Sequence, residues 1–108
     1  MDCIFCKIRD KEIPKEFTYE DEDVMVFPDI HPLKPIHLLV IPKKHIRELT
    51  ELTDPIVLEK LFSVMRQLIL DKGLTDKGYR ISLNGGGLQD IDHVHFHLMG
   101  PISSPIPK

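Results

Sequence analysis

The segment His93-Val94-His95-Phe96-His97-Leu98-Met99 constrains this chain more than any other. Successive side chains of a strand point to opposite faces. The three imidazoles therefore share one face about 6.6 Å apart, while Val94, Phe96 and Leu98 share the other. A single histidine on an exposed strand needs no explanation, but three in strict alternation with three apolar residues argue for a working face. A neutral imidazole nitrogen is a metal ligand or a nucleophile, and the protonated ring is an acid near physiological pH. Two chemistries stay open at this point: a catalytic metal, to which Asp90 or Asp92 could add a carboxylate, or covalent phosphate chemistry. For the second, Asn84-Gly85-Gly86-Gly87-Leu88-Gln89 offers amides and closely approachable backbone. A plain flexible loop explains the three glycines almost equally well.

The remaining pattern predicts an α+β fold. Ile4, Phe5 and Ile8 are spaced to face a core together from a short N-terminal helix that ends by Pro14. Phe17 to Glu20 and Val24 to Phe27 read as strands of a hairpin turned at Asp21-Glu22-Asp23. Two prolines make Asp29 to Pro35 a loop, and Ile36 to Ile41 reads as a central strand stopped by Pro42. Asp54-Pro55 is a cap followed by proline at the first helical position. Leu58, Leu61, Phe62, Met65, Leu68 and Ile69 then recur at helical spacing until Gly73, a helix of about 27 Å. Tyr79 to Leu83 and His93 to Met99 complete an antiparallel sheet of about five strands with one long helix.

With 108 residues the chain predicts one domain over residues 1–108, and 42% hydrophobic residues suffice for a core without disulfides. Fourteen basic residues against seventeen acidic ones give a net charge of −3, with the basic residues scattered. That balance argues against nucleic acid or anionic membrane as the partner and leaves room for a small anionic ligand. The opening residues lack a basic start with an apolar stretch, and no run is long enough to span a bilayer, so the expectation is a soluble, cytoplasmic protein.

Cys3 and Cys6 are the only cysteines, too close together to close a useful structural loop. A thioredoxin-like pair would need a preceding strand, for which two residues leave no room. Two thiolates can share a tetrahedral zinc with two imidazoles. Two buried thiols without metal are the plainer alternative. His31, beside two prolines, reads as a surface residue.

The histidine segment resembles the signature of the histidine triad (HIT) family. Cys3-Ile4-Phe5-Cys6-Lys7-Ile8, Phe27-Pro28-Asp29-Ile30 and His37-Leu38-Leu39-Val40-Ile41-Pro42-Lys43-Lys44-His45 resemble further family segments in family order. The resemblance covers nearly the whole chain to about Gly100 and points to the nucleoside phosphoramidase branch, the histidine triad nucleotide-binding proteins. It implies that His95 attacks the α-phosphorus of a purine nucleoside 5′-phosphoramidate and that water then releases AMP or GMP. His97 would relay a proton or hold the phosphoryl group, and His37 would relay or orient. Asp29 would accept the ribose hydroxyls, and Ile4, Phe5, Ile8, Phe27, Ile30 and Leu39 would form the base slot. Ordinary core is the plainer reading of Ile4, Ile8 and Leu39. Asn84 and Gln89 match polar positions near the phosphate and leaving group.

The resemblance also supplies His45 and His93 as the imidazoles that join Cys3 and Cys6 around a structural zinc, and it implies a homodimer with joined sheets. Two departures stand out. Leu88-Gln89-Asp90 occupies the place of the usual glycine, glutamine and hydroxyl residue, and an ionised Asp90 cannot donate a hydrogen bond and repels an anionic phosphoryl group. The tail from Pro101 to Lys108 lacks the tryptophan-containing end of some relatives. Alternative readings are a dinucleoside polyphosphate hydrolase and a zinc-stabilised nucleotide-binding interaction protein with little catalysis.

Overall fold

Alternating strand faces divide the molecule into two apolar layers on either side of one antiparallel sheet. The computed structural model describes residues 3–103, so the Met1-Asp2 opening and the end of the proline-containing tail lie outside the described residues. The strands are β1 (Tyr19–Glu20), β2 (Val24–Pro28), β3 (Ile36–Pro42), β4 (Arg80–Ser82) and β5 (Phe96–Gly100), in the order β1-β2-β3-β5-β4. A short helix α1 (Ile4–Arg9) and a long helix α2 (Pro55–Asp71) complete the α+β fold. As the apolar run predicted, β3 is central.

On one face Val24, Val26, Leu38, Val40, Phe96 and Leu98 pack against α2. That helix is capped by the Asp54 carboxylate, which accepts the Ile56 N–H at 2.9 Å, with Pro55 in its first turn. It ends just before Gly73, whose φ of +66° suits the left-handed residue that closes a helix. Its buried side includes Val57 and Val64 as well as Leu61, Met65, Leu68 and Ile69. Phe62, expected in that stripe, is 49% exposed and meets Phe96 edge-on. Among the described residues no helix is long and apolar enough to cross a membrane.

On the opposite face Met25, Phe27, Leu39 and Ile41 pack with Cys3, Phe5 and Ile8. Here three local expectations need correction. Ile4 points outward at 46% exposure, so only Phe5 and Ile8 of α1 enter the core. The helix stops at Arg9, where Lys11 takes a φ of +65°, rather than running to Pro14. In the first hairpin only Tyr19–Glu20 of the predicted strand is paired, although the Thr18 N–H still reaches the Val26 carbonyl at 2.8 Å.

Strand β5 begins at Phe96, three residues later than the alternation suggested. Residues 93–95 have no strand partner because the chain there leaves the sheet to meet the loop after β3, with the Val94 N–H donating to the Ile46 carbonyl at 2.7 Å. Even so the alternation of sides survives: Val94, Phe96 and Leu98 join the α2 core.

Candidate functional site

Strand register carries His97 into the apolar face beneath α1. Phe27 pairs with Leu39 and Leu39 with His97, so these three side chains form one row across β2, β3 and β5. His37 sits two residues before Leu39 on the same face, opposite Met99. Phe5 from α1 closes the row from above, its ring 5.1 Å from His95, 5.8 Å from His93 and 5.9 Å from Phe27 in edge-on contacts. One small helix thus braces both the apolar slot and two of the three triad rings.

Hydrogen bonds to groups of fixed character assign the protons. The backbone N–H of Leu33 can only donate, so His37 Nδ1, at 3.1 Å, accepts and His37 Nε2 carries the hydrogen. Nε2–H then donates to His97 Nδ1 at 2.9 Å, which leaves the His97 proton on its own Nε2. For His95 the partner is the His93 carbonyl, 2.8 Å from Nδ1. A carbonyl only accepts, so His95 holds its proton on Nδ1 and exposes the lone pair of Nε2. The triad therefore presents one lone pair and, beside it, one N–H. Burial first, and then the neighbouring His95 and His37, lower the pKa of His97, which keeps that ring neutral at neutral pH.

Asp29 joins this pair. Its Oδ1 accepts the His31 N–H at 2.8 Å, and its Oδ2 lies 3.5 Å from His37 Nε2 and 3.9 Å from His97 Nδ1. Three such groups have the donor types of a metal site, but the proton that Leu33 forces onto His37 Nε2 suits a hydrogen-bond chain instead.

A cleft of about 160 Å³ opens over these groups. Ile4, Phe5, Ile8, Phe27, Ile30 and Leu39 all line it, with Asp29, His95 and His97 at the polar end. Ile8 and Leu39 belong to the core as well, so the two readings of these residues are compatible. Ile4 and Ile30 are 46% and 72% exposed, apolar surface at the rim of the cleft. Buried His37 stands behind His97 rather than in the lining.

The loop before the triad departs from expectation. Neither Asn84 nor Gln89 lines the cleft. Gln89 accepts the Gly87 N–H at 3.1 Å and donates to the Arg47 carbonyl at 3.4 Å, so its amide shapes the loop. Asp90 is there instead, its Oδ1 3.6 Å from His95 Nε2. Lys15, Ile91 and His31 also line the cleft. His31 is exposed, as expected of a surface residue, yet its place after Asp29 brings it to the opening. No periodicity marks these loop residues.

On the other side of His95 four further side chains converge. Cys3 Sγ lies 3.3 Å from His93 Nδ1, and Cys6 Sγ lies 3.3 Å from His45 Nδ1 and 3.7 Å from His93 Nδ1. Sulfur and nitrogen ligands at about 2.3 and 2.0 Å from one tetrahedral ion would be about 3.5 Å apart, so the spacing fits with little adjustment. His93 Nε2 donates to the Pro42 carbonyl at 2.7 Å, which turns the lone pair of Nδ1 toward the sulfurs. Burial pushes the His93 pKa down to about 4 and keeps the ring a neutral donor. Among the described residues His45 Nε2 is buried without a hydrogen-bond partner, and the ring is held by Cys6 at Nδ1 and by an edge-on contact with His93, 4.9 Å between ring centres. Burial, followed by the Cys3 hydrogen bond, raises the Cys6 thiol, so a cation binding here would displace a proton from it. Cys3, Cys6, His45 and His93 thus form a group able to hold a metal ion.

Comparison with known proteins gives concordant results. Residues 2–106 match the family described as scavenger mRNA decapping enzyme, C-terminal binding. The chain is 42% identical over 103 residues to protein HitA of Neisseria gonorrhoeae, covering 91% of this chain and 94% of that protein. Among solved structures, a HIT family hydrolase from Legionella pneumophila is 40% identical with a TM-score of 0.86, covering 92% of each chain. A histidine triad protein from Clostridium difficile is 37% identical with a TM-score of 0.89, covering 100% of this chain and 97% of the other.

Proposed function

This chain belongs to the histidine triad family, and from that premise we propose that it is a hydrolase that cleaves purine nucleoside 5′-phosphoramidates or related nucleotidyl conjugates through a nucleotidyl-His95 intermediate. The observation that carries the reading is the proton assignment at the triad: His95 Nδ1 is tied to the His93 carbonyl, so its free lone pair is on Nε2 at the cleft. In the first step that lone pair forms a bond to the α-phosphorus. The bond from phosphorus to the leaving amine breaks, and the nitrogen departs with the electron pair and a proton taken up from the cleft. In the second step water attacks phosphorus and gives up a proton, and Nε2 recovers its electron pair as the nucleoside monophosphate leaves. Two displacements at phosphorus replace one harder one.

His97 presents Nε2–H to the phosphoryl group, and His37 fixes that orientation from behind. Asp29 accepts the ribose hydroxyls, and Phe5 and Phe27 with the aliphatic residues around them hold the base. Cys3, Cys6, His45 and His93 hold a structural zinc that ties α1 to the residues just before β5. The bound ion supplies a crosslink and takes no part in the displacement. Asn84 and Gln89 act on the leaving group only if the loop rearranges over bound substrate. A homodimer in which two sheets join, one domain per chain and a cytoplasmic location complete the reading.

Brief incubation with a slowly hydrolysed phosphoramidate, followed by peptide mapping, tests class and nucleophile together. A nucleotidyl group on His95 is the expected result, with turnover lost and nucleotide binding kept in His95→Ala. Equal slow hydrolysis by wild type and His95→Ala would overturn the reading in favour of a zinc-stabilised nucleotide-binding protein. Faster cleavage of a diadenosine polyphosphate than of the phosphoramidate would favour the polyphosphate hydrolase alternative.

A further inference from the structure

We propose that Asp90 sets leaving-group specificity, selecting phosphoramidates whose departing amine carries a second, positively charged ammonium group. The inference rests on the phosphoramidase reading above and adds to it the chemical class of the leaving group. Asp90 lies in the loop immediately before the triad, with Oδ1 3.6 Å from His95 Nε2, the atom that attacks phosphorus. Reacting atoms in a near-attack pose sit about 3–3.5 Å apart. Phosphorus would therefore lie about as far from Nε2 as the carboxylate does, so Asp90 flanks the phosphoryl group, and the leaving amine, in line with Nε2 beyond phosphorus, carries its chain within reach of that charge.

The charge around it is unbalanced. Asp90 is 86% exposed, and its carboxylate faces the His95 ring and also acts on His97 through its charge. Asp29 contributes a second carboxylate at the same end of the cleft. Lys15 is the only lysine or arginine among the lining residues, and it lies 5.1 Å from the Phe27 ring centre, against the apolar slot. A substrate phosphoryl anion thus meets negative charge beside the attacking nitrogen. A neutral leaving group does nothing to offset that repulsion. An ammonium a few bonds beyond the scissile nitrogen is attracted by Asp90 through partly solvated space, worth about three- to tenfold in rate. Asp90 acts here through its fixed charge and neither takes nor gives a proton, which makes it a specificity residue rather than a second nucleophile or base.

Two adenosine 5′-phosphoramidates test this, one with n-butylamine and one with 1,4-diaminobutane as the leaving amine. Both release a primary alkyl amine, and only the second carries an ammonium at neutral pH. For the wild-type protein kcat/KM should favour the diamine substrate by about three- to tenfold, and the ratio should shrink toward one in about 0.5 M salt. In Asp90→Asn and Asp90→Ser the ratio should fall to about one. A wild-type ratio near one, a ratio unchanged in Asp90→Asn, or an equal fall for both substrates would overturn the proposal, the last by assigning Asp90 to the step they share. Cleavage of both without discrimination removes the role of Asp90 alone, whereas no cleavage of either and no nucleotidyl-His95 removes the phosphoramidase reading with it.

Discussion

His37 donates its Nε2 proton to Nδ1 of His97 across 2.9 Å, and the backbone N–H of Leu33 behind it makes the opposite arrangement unfavourable. Two rings 60 residues apart in sequence therefore share one proton assignment. Groups that act as a unit give non-additive losses. His97→Ala should lower kcat about a hundredfold and His37→Ala about tenfold. The double variant should be within about threefold of His97→Ala alone, and multiplied losses would show that the two rings act independently.

Metal removal should act at a distance. Protein purified without chelator should carry about one equivalent of zinc, and Cys3→Ser/Cys6→Ser should carry almost none. The apparent Tm should fall by about 5 °C or more. Because His93 lends its side chain to the cysteine cluster and its carbonyl to His95, kcat should fall too. Unchanged zinc content in the double variant, measured by elemental analysis, would assign the metal elsewhere.

Asp29→Asn tests the ribose contact. Loss of a charged acceptor for two hydroxyls should weaken AMP binding by about tenfold or more and 2′,3′-dideoxy-AMP binding much less. Calorimetric titration of both nucleotides checks this. An equal loss for the two would place the ribose away from Asp29.

Acid stability is expected to depend on Asp21 in the first hairpin. Burial pushes its carboxyl upward, but hydrogen bonds from the Tyr19 hydroxyl, the backbone of Asp23 and Val24, and Lys60 outweigh that and hold it at about 2, against an ordinary value of 3.8. A lowered folded-state pKa contributes stability that is complete above the unfolded value and is lost as pH falls from about 4 to about 2. Asp21→Asn should cost about 1–2 kcal/mol at neutral pH, with a smaller loss of stability on acidification than wild type. Urea unfolding at pH 7 and pH 3 measures both, and parallel acid losses in the two proteins would refute the assignment.

Much of this architecture was legible because local rules governed it. Asp54-Pro55 and Gly73 mark the ends of α2 through capping and backbone geometry that depend on a few neighbouring residues. Alternation in β2 and β3 separates the α2 layer from the α1 layer before any packing is known. Where rules competed, the sequence misled. Phe62 satisfies helical spacing but falls at the edge of the buried stripe, while Val57 and Val64 fall inside it. His93 and His95 keep their side of the chain but leave the sheet, because the Val94 N–H finds its acceptor in Ile46 rather than in a neighbouring strand.

Sequence by itself determined which side chains could share a face: three imidazoles opposite Val94, Phe96 and Leu98, and Phe27 in step with Met25. It also brought Cys3 and Cys6 within one helical turn. Only the tertiary structure decided what those faces meet. Strand order sets His97 beside Leu39, folds Leu33 behind His37, and carries Asp90 rather than Gln89 to His95 Nε2. Face alternation is a property of a single strand, whereas proton position and charge balance depend on donors and acceptors brought from distant parts of the chain.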